Sequence, residues 1–366
     1  MMTTTTQTTE HRHAIVKTPM FARTRWLPLT AVWALACAAP ADKPSKPPVS
    51  APVTPLHRGP LTDFIPSAGL RWLLLIKPQQ LLARPELAQA ISQIIPTSRF
   101  EAFADSSGVD LRVLSEAGVA GFPYSTLYLA ELPHGVAALA RARFGERLLA
   151  GAVSKQPHPG LTRITGVIGQ TPETLLTIDD RLLAVSVGDP VPAKIAEAYA
   201  RERLTRSPPA LHGAALSTLP ELASSNVAVL FAPGPFADEW QRAAGGLLQS
   251  TVAIAITVQP IGSGKVATTL YLTGAWEESE RDAASRLGAA WSAFARSSAG
   301  RLFELNELAE ISTSPDVLRL RVDVELDALV RGLRASVLAD LSQILNLPPK
   351  PPQSSGPNSS APAPIP

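Results

Sequence analysis

The chain has 366 residues, 45% of them apolar and 17% charged, with 35 prolines and a single cysteine. That apolar share is enough for packed cores, and the length suits two domains of ordinary size or one large one. The formal charge of +2 is concentrated in the leader, where Arg12, Lys17, Arg23 and Arg25 face only Glu10. The remainder is close to neutral with no basic run, so the charge pattern points to no nucleic-acid partner.

Residues 1–19 are threonine-rich and without periodicity, which makes Met20 the expected start. Arg23 and Arg25 then form a positive stretch ahead of the apolar run "WLPLTAVWALA" at 26–36. This is the layout of a signal peptide (20–36), and the run is too short to span a bilayer as a helix. Cys37 follows directly. The stretch "ALAC" resembles the lipobox of bacterial lipoproteins, although Ala34 stands where leucine is common and Leu35 where a small residue is common. The resemblance implies that Cys37 becomes the first mature residue and carries acyl chains of the palmitate type. Several chains on one cysteine hold firmly where a single chain does not. By resemblance to the sorting rule of enteric bacteria, Ala38 after the cysteine implies the outer membrane of the bacterial envelope, with the periplasm as the compartment crossed. With no second thiol there is no disulfide framework, no cysteine-rich metal site and no cysteine nucleophile.

Residues 37–68 contain eight prolines among Ala, Ser, Lys and Thr, and read as an extended tether. A first half, 69–204, opens with "RWLLLIKP" (71–78), an apolar run of strand character, followed by a helix over "PELAQAISQII" (85–95). Next come a strand, "STLYLAEL" (125–132), and a helix around "VAALARARFGERLLA" (136–150). A strand pair about the Asp179-Asp180 turn precedes a helix in "PAKIAEAYARERL". After a linker at 205–225, the second half, 226–347, repeats this order. It runs through "NVAVLFAP", a helix in "PFADEWQRAAGGLLQ" (235–249), "TTLYLTGA", and a helix in "ESERDAASRLGAAWSAFA". The strand pair "LAEISTSPDVLRLRVDVE" and the helix "LDALVRGLRASVLADLSQIL" complete it. Residues 348–366 read as a disordered Pro/Ser-rich tail. The expected fold class is α+β: two duplicated β-α-β-β-α-β-β-α-like halves with antiparallel sheets, flanked by Pro-rich disordered segments.

The motifs that carry chemistry resolve into structural roles. "GSGK" at 262–265 lacks the first glycine and the final hydroxyl of a phosphate loop and lies between two strand-like runs, so it predicts a hairpin turn. Histidines 57, 134, 158 and 212 fall in the tether, turns and linker with no ligand spacing, and no metal or other cofactor is expected. No G-x-S-x-G elbow surrounds any serine. Asp105 in "ADSSGVD" lacks calcium-loop spacing and predicts a helix end. Trp72, Trp240, Trp276 and Trp291 fit core or interface positions. Trp276 is the candidate for an exposed ligand-binding ring, following the second "TLYL".

The cadence "GVDLRVL…TLYLA…SPPAL…APGPF", with the lipobox-like leader and the tail, resembles uncharacterised lipoproteins of predatory and gliding δ-proteobacteria. That family has no assigned activity. The expectation is a non-catalytic binding or scaffolding module, tethered to the membrane through Cys37 and meeting an envelope protein or a glycan. Alternatives are a small-ligand or glycan binder using the cleft between the halves, and an unrecognised hydrolase. Protein extracted from host membranes should begin at Cys37 and carry acyl mass, and Cys37→Ala should move it to the soluble fraction. An unacylated chain starting at Met1 or Met20 would overturn the lipoprotein reading.

Overall fold

The computed structural model describes residues 54–133, 135, 152–202, 219–262, 264–276 and 280–345. Cys37, the helix expected over 136–150 and the tail from 348 lie outside the described residues. The two apolar runs of the sequence form β1 (Trp72–Ile76) and β8 (Ala228–Pro233). They pair with each other, antiparallel, with Leu73 opposite Phe231 and Leu75 opposite Val229.

From this seam the chain builds outward in both directions. Between β1 and β8 come the helices α1 (Pro78–Leu82), α2 (Pro85–Ile94) and α3 (Thr97–Ser107) and the strands β2 (Ala117–Phe122) and β3 (Ser125–Glu131). They are followed by β4 (Val153–His158), β5 (Leu161–Ile168), β6 (Thr171–Ile178), β7 (Leu182–Gly188), α4 (Val191–Ala200) and α5 (Leu219–Ser225). After β8 come α6 (Asp238–Ala243), β9 (Thr251–Gly262), β10 (Lys265–Gly274), α7 (Glu280–Arg296) and α8 (Ser298–Leu302). The chain then forms β11 (Glu310–Ser314), β12 (Val317–Glu325) and α9 (Leu326–Leu345). All these strands join one 12-stranded sheet in the order β11-β12-β10-β9-β8-β1-β2-β3-β7-β6-β5-β4. Every neighbouring pair is antiparallel. The fold is thus a mixture of helices and one large antiparallel sheet.

Side chains alternate along each strand, so the sheet has a front and a back. On the front, Leu73, Ala120, Leu127, Leu176 and Phe231 pack with Ala196 and Ala200 of α4. On the back, Leu272, Leu318, Leu320 and Val322 pack with Leu87 of α2, Leu287 of α7 and Val330 of α9. A smaller back cluster joins Leu114, Ala130, Leu175 and Leu183 at the other end. The halves therefore keep their main cores on opposite faces. The two "TLYL" runs show the consequence. Leu127 and Leu129 face the front core, whereas Leu270 and Leu272 belong to the back one, a one-residue difference in facing.

Several expectations need correction. The tether read as 37–68 ends earlier: Leu61, Phe64 and Ile65 are fully buried in the front core, and a short 3-10 turn spans Leu61–Phe64. The proline count hid apolar residues at helical spacing, positions 61, 64 and 65. The backbone of His57 donates to the Ala200 carbonyl at 2.8 Å, and the Nε2 of His158 lies 2.8 Å from the Thr54 carbonyl oxygen. The linker read as 205–225 ends in a helix, α5, whose Leu219 is buried. The helix expected over 235–249 stops at Ala243, because Gly245 and Gly246 both take positive φ, 60° and 82°. Strands β2, β4 and β5 and helices α1 and α8 are additions to the predicted set. The "GSGK" run is the β9–β10 turn, with Gly264 at φ 75°, and Asp179 takes φ 54° in the β6–β7 turn. Asp105 lies in α3, which ends at Gly108 with φ 75°.

Because the halves share the seam strands, the body should unfold as one cooperative unit. Leu73→Ala removes a fully buried side chain there and should cost about 2–5 kcal/mol, read from denaturant midpoints. Two resolved unfolding transitions in the parent chain would show that the seam does not couple the halves.

Candidate functional site

Burying Leu73 and Leu75 on the front obliges Trp72, Leu74 and Ile76 to point to the back. There Trp72 stands opposite Gly121 of β2. A Cβ placed on Gly121 would meet the Trp72 indole at 2.3 Å, so the ring lies against bare backbone. One side of the indole is thus packed, and the residue remains 39% exposed. In the next cross-strand row, Leu74 lies between Val119 of β2 and Leu230 of β8, and Val119 stands opposite Tyr128 of β3. Tyr128 is 46% exposed, and Leu230 and Val252 are also exposed. The back of the central strands thus presents aromatic and aliphatic surface between the two back clusters.

The sequence fits Trp72 to a core or interface position, because the unbroken apolar run around it hides the alternation that brings it out. The signal lay in the partner strand. Gly121 in "AGVAGF" leaves room for a large ring, but cross-strand register is not written in either strand alone. Trp276, by contrast, is only 2% exposed; its Nε1 donates to the Leu272 carbonyl at 3.2 Å and its ring lies in the back core. The residue follows the end of β10, where the strand has already turned inward against α7, so it offers no ligand platform. Trp240 on α6 is largely exposed and Trp291 is part-buried, its Nε1 donating to the Asn306 carbonyl.

A cavity of about 490 Å³ opens beside the 3-10 turn and α5, lined by Asp63, Lys77, Ser115, Glu116, Glu131 and Ser224 among others. Most of its charges are answered. Asp63 accepts from the His57 ring at 2.8 Å, and Glu131 pairs with Arg181 at 3.3 Å and accepts from the Ser115 hydroxyl at 3.1 Å. The Lys77 ammonium donates to the Ser224 carbonyl at 2.7 Å. Glu116 is the exception. Burial pushes its carboxyl above the ordinary value, with Lys77 opposing and Glu131 adding to the shift, while the Leu61 backbone N–H favours the ionised form. A carboxyl held toward its neutral form is a potential proton donor, while the two serine hydroxyls that line the cavity donate elsewhere, Ser115 to Glu131 at 3.1 Å and Ser224 to the Glu221 carbonyl at 2.9 Å.

Among the described residues no group of three His, Cys, Asp or Glu side chains is arranged to hold a metal ion, and no helix is long and apolar enough to cross a membrane. Comparisons with protein-family models, curated proteins and solved structures found no match to this chain.

The raised value at Glu116 sets a sign for pH dependence. The folded protein holds this proton more tightly than the unfolded chain, so the contribution to stability is full below about 4.5 and is lost as pH rises through the folded value. Glu116→Gln should therefore raise the denaturation midpoint at pH 7 relative to the parent and bring no gain at pH 4. An equal change at both pH values would remove burial of the carboxylate as the cause.

Proposed function

We propose that the chain is a lipid-anchored protein of the bacterial envelope, held through Cys37, whose folded body is a non-catalytic binding module. The observation that carries this reading is the exposed aromatic and aliphatic surface on the back of β1, β2, β3 and β8. Monomeric proteins seldom leave aromatic rings and aliphatic side chains together on open sheet, and where they do a partner commonly covers them. The partner chemistry that fits is a flat apolar surface on another envelope protein, with Trp72 and Tyr128 as anchors, since interface energy concentrates in such rings.

A second reading, a glycan or small-ligand binder, is favoured by one feature: the Trp72 indole lies against Gly121 and is 39% exposed, an aromatic surface on which a sugar ring can stack. The halves meet in hydrogen-bonded sheet at β1 and β8, so this reading moves from a cleft to the aromatic surface beside the seam.

The proposed duplication of the halves rests on strand order. Outward from the seam the strands run β1, β2, β3, β7, β6, β5, β4 on one side and β8, β9, β10, β12, β11 on the other, so the first five positions on each side correspond. The two "TLYL" runs occupy the third strand in each direction, yet face opposite ways, so strand order carries the proposal and side-chain register does not.

A photo-crosslinking residue in place of Tyr128, introduced in the native host, tests the principal reading. The expected result is a discrete protein adduct that is lost when Trp72→Ala is added and kept when Lys194→Ala is added on α4 instead. An adduct unaffected by Trp72→Ala, or none at all, would overturn it. Quenching of Trp fluorescence by cell-wall glycan fragments, with no protein adduct, would shift the assignment to the glycan reading.

A further inference from the structure

The front of β9, β10 and β12 carries a second, chemically different surface. Alternation in "VLRLRVDVE" sends Leu318, Leu320, Val322 and Val324 into the back core and leaves Arg319, Arg321 and Asp323 on the front. Register places Arg319 opposite Tyr271 and Arg321 opposite Thr269, with Thr257 of β9 next in the same row. The guanidinium of Arg319 sits 5.9 Å from the centroid of the Tyr271 ring. Together with Asn226 and Gln259, these side chains line a cavity of about 250 Å³.

Among the described residues, five arginines are half-buried, and four of them have a carboxylate partner. Arg112 pairs with Asp110 at 2.9 Å, Arg163 and Arg201 both with Glu197, and Arg321 with Asp323 at 3.6 Å. Arg319 has none, and its Nε is enclosed without a hydrogen-bond acceptor. Glu221, the one carboxylate lining the cavity, makes no ion pair with either arginine. A long cationic side chain that merely covers apolar surface keeps its polar head in water. Here the head is half enclosed, backed by an aromatic ring and uncompensated. Such a charge calls for an anion, since a guanidinium presents its donors in a planar fork matched to carboxylate and phosphate oxygens.

We propose that this front cavity is a binding site for the oxyanion group, carboxylate or phosphate, of a small ligand, with Arg319 as the principal contact. Arg321 supplies the second positive charge, and the Thr257 and Thr269 row forms the floor. The site is on the opposite face from the aromatic surface and stands independently of the partner-binding reading.

Calorimetric titration of the full chain with inorganic phosphate and, separately, with acetate tests it. Saturable binding of at least one anion is expected, weakened about tenfold or more in Arg319→Gln and unchanged in Arg286→Gln, which alters an exposed helix arginine. The preferred anion identifies the group. Should Arg319→Gln fail to fold by circular dichroism, Arg321→Gln serves in its place, with several-fold weakening expected. The proposal is overturned if neither anion binds saturably, or if the folded arginine variant binds as tightly as the parent.

Discussion

The antiparallel pairing of β1 with β8 is the constraint on which the other features depend. These strands are five and six residues long, yet they stand at the middle of a sheet of twelve. Leu73 and Leu75 meet Phe231 and Val229 on the front, where all four are buried. With a side-chain period of two, that choice forces Trp72, Leu74 and Leu230 onto the back. A slip of one residue would bury Trp72 and expose Leu73. The aromatic surface is therefore inseparable from the packing of the front core, and Gly121 completes it by giving the indole a place to lie.

A sheet this wide has to end without inviting further strands, and each edge does so differently. At one end, β4 carries Lys155 and Pro157 and loses register with β5 between Lys155 and His158. A lysine, a proline and an irregularity are each known to discourage pairing at an exposed edge. At the other end, β11 is only five residues long and largely exposed, with Glu310, Ser312, Thr313 and Ser314 in it. These edges leave the broad faces as the surfaces suited to recognition.

Most long elements were legible in the sequence because their periodicity was strong. The helices α2, α4, α7 and α9 and the strands β6, β7, β9, β10 and β12 fall where apolar spacing and turn residues put them. The rest failed for local physical reasons. The strand β2, "AGVAGF", has too few large side chains to announce itself: Gly121 makes room for Trp72 on the back, and Gly118 lies against Leu75 on the front. The strand β4 is polar and exposed, as an edge permits, so it lacks the alternation that marks a half-buried strand. The segment 54–68 looked like tether because prolines outweigh its three buried apolar residues in any window average. Trp72 and Trp276 both fit core or interface positions in the sequence, with Trp276 the candidate for an exposed ring, yet it is Trp276 that is buried and Trp72 that is 39% exposed. Both errors come from facing: a strand's apolar content is visible in its sequence, but which alternate residues reach solvent depends on what covers each face.

Coverage also explains why the two sides of the seam carry different surfaces. One cross-strand row on the front runs Leu127, Ala120, Leu73, Phe231, Ala255 and Tyr271 before it reaches Arg319. Its first part is dry because α4 and the 3-10 turn at Leu61–Phe64 lie over it. Beyond β9 the covering described elements are on the back instead, and the front turns polar within two strands. Tyr271 stands at the change, packed against the front core on one side and under the Arg319 guanidinium on the other. The helices thus decide the chemistry of each stretch of sheet. Where they cover the front, the back near the seam is left apolar and aromatic; where they cover the back, the front is free to carry charge.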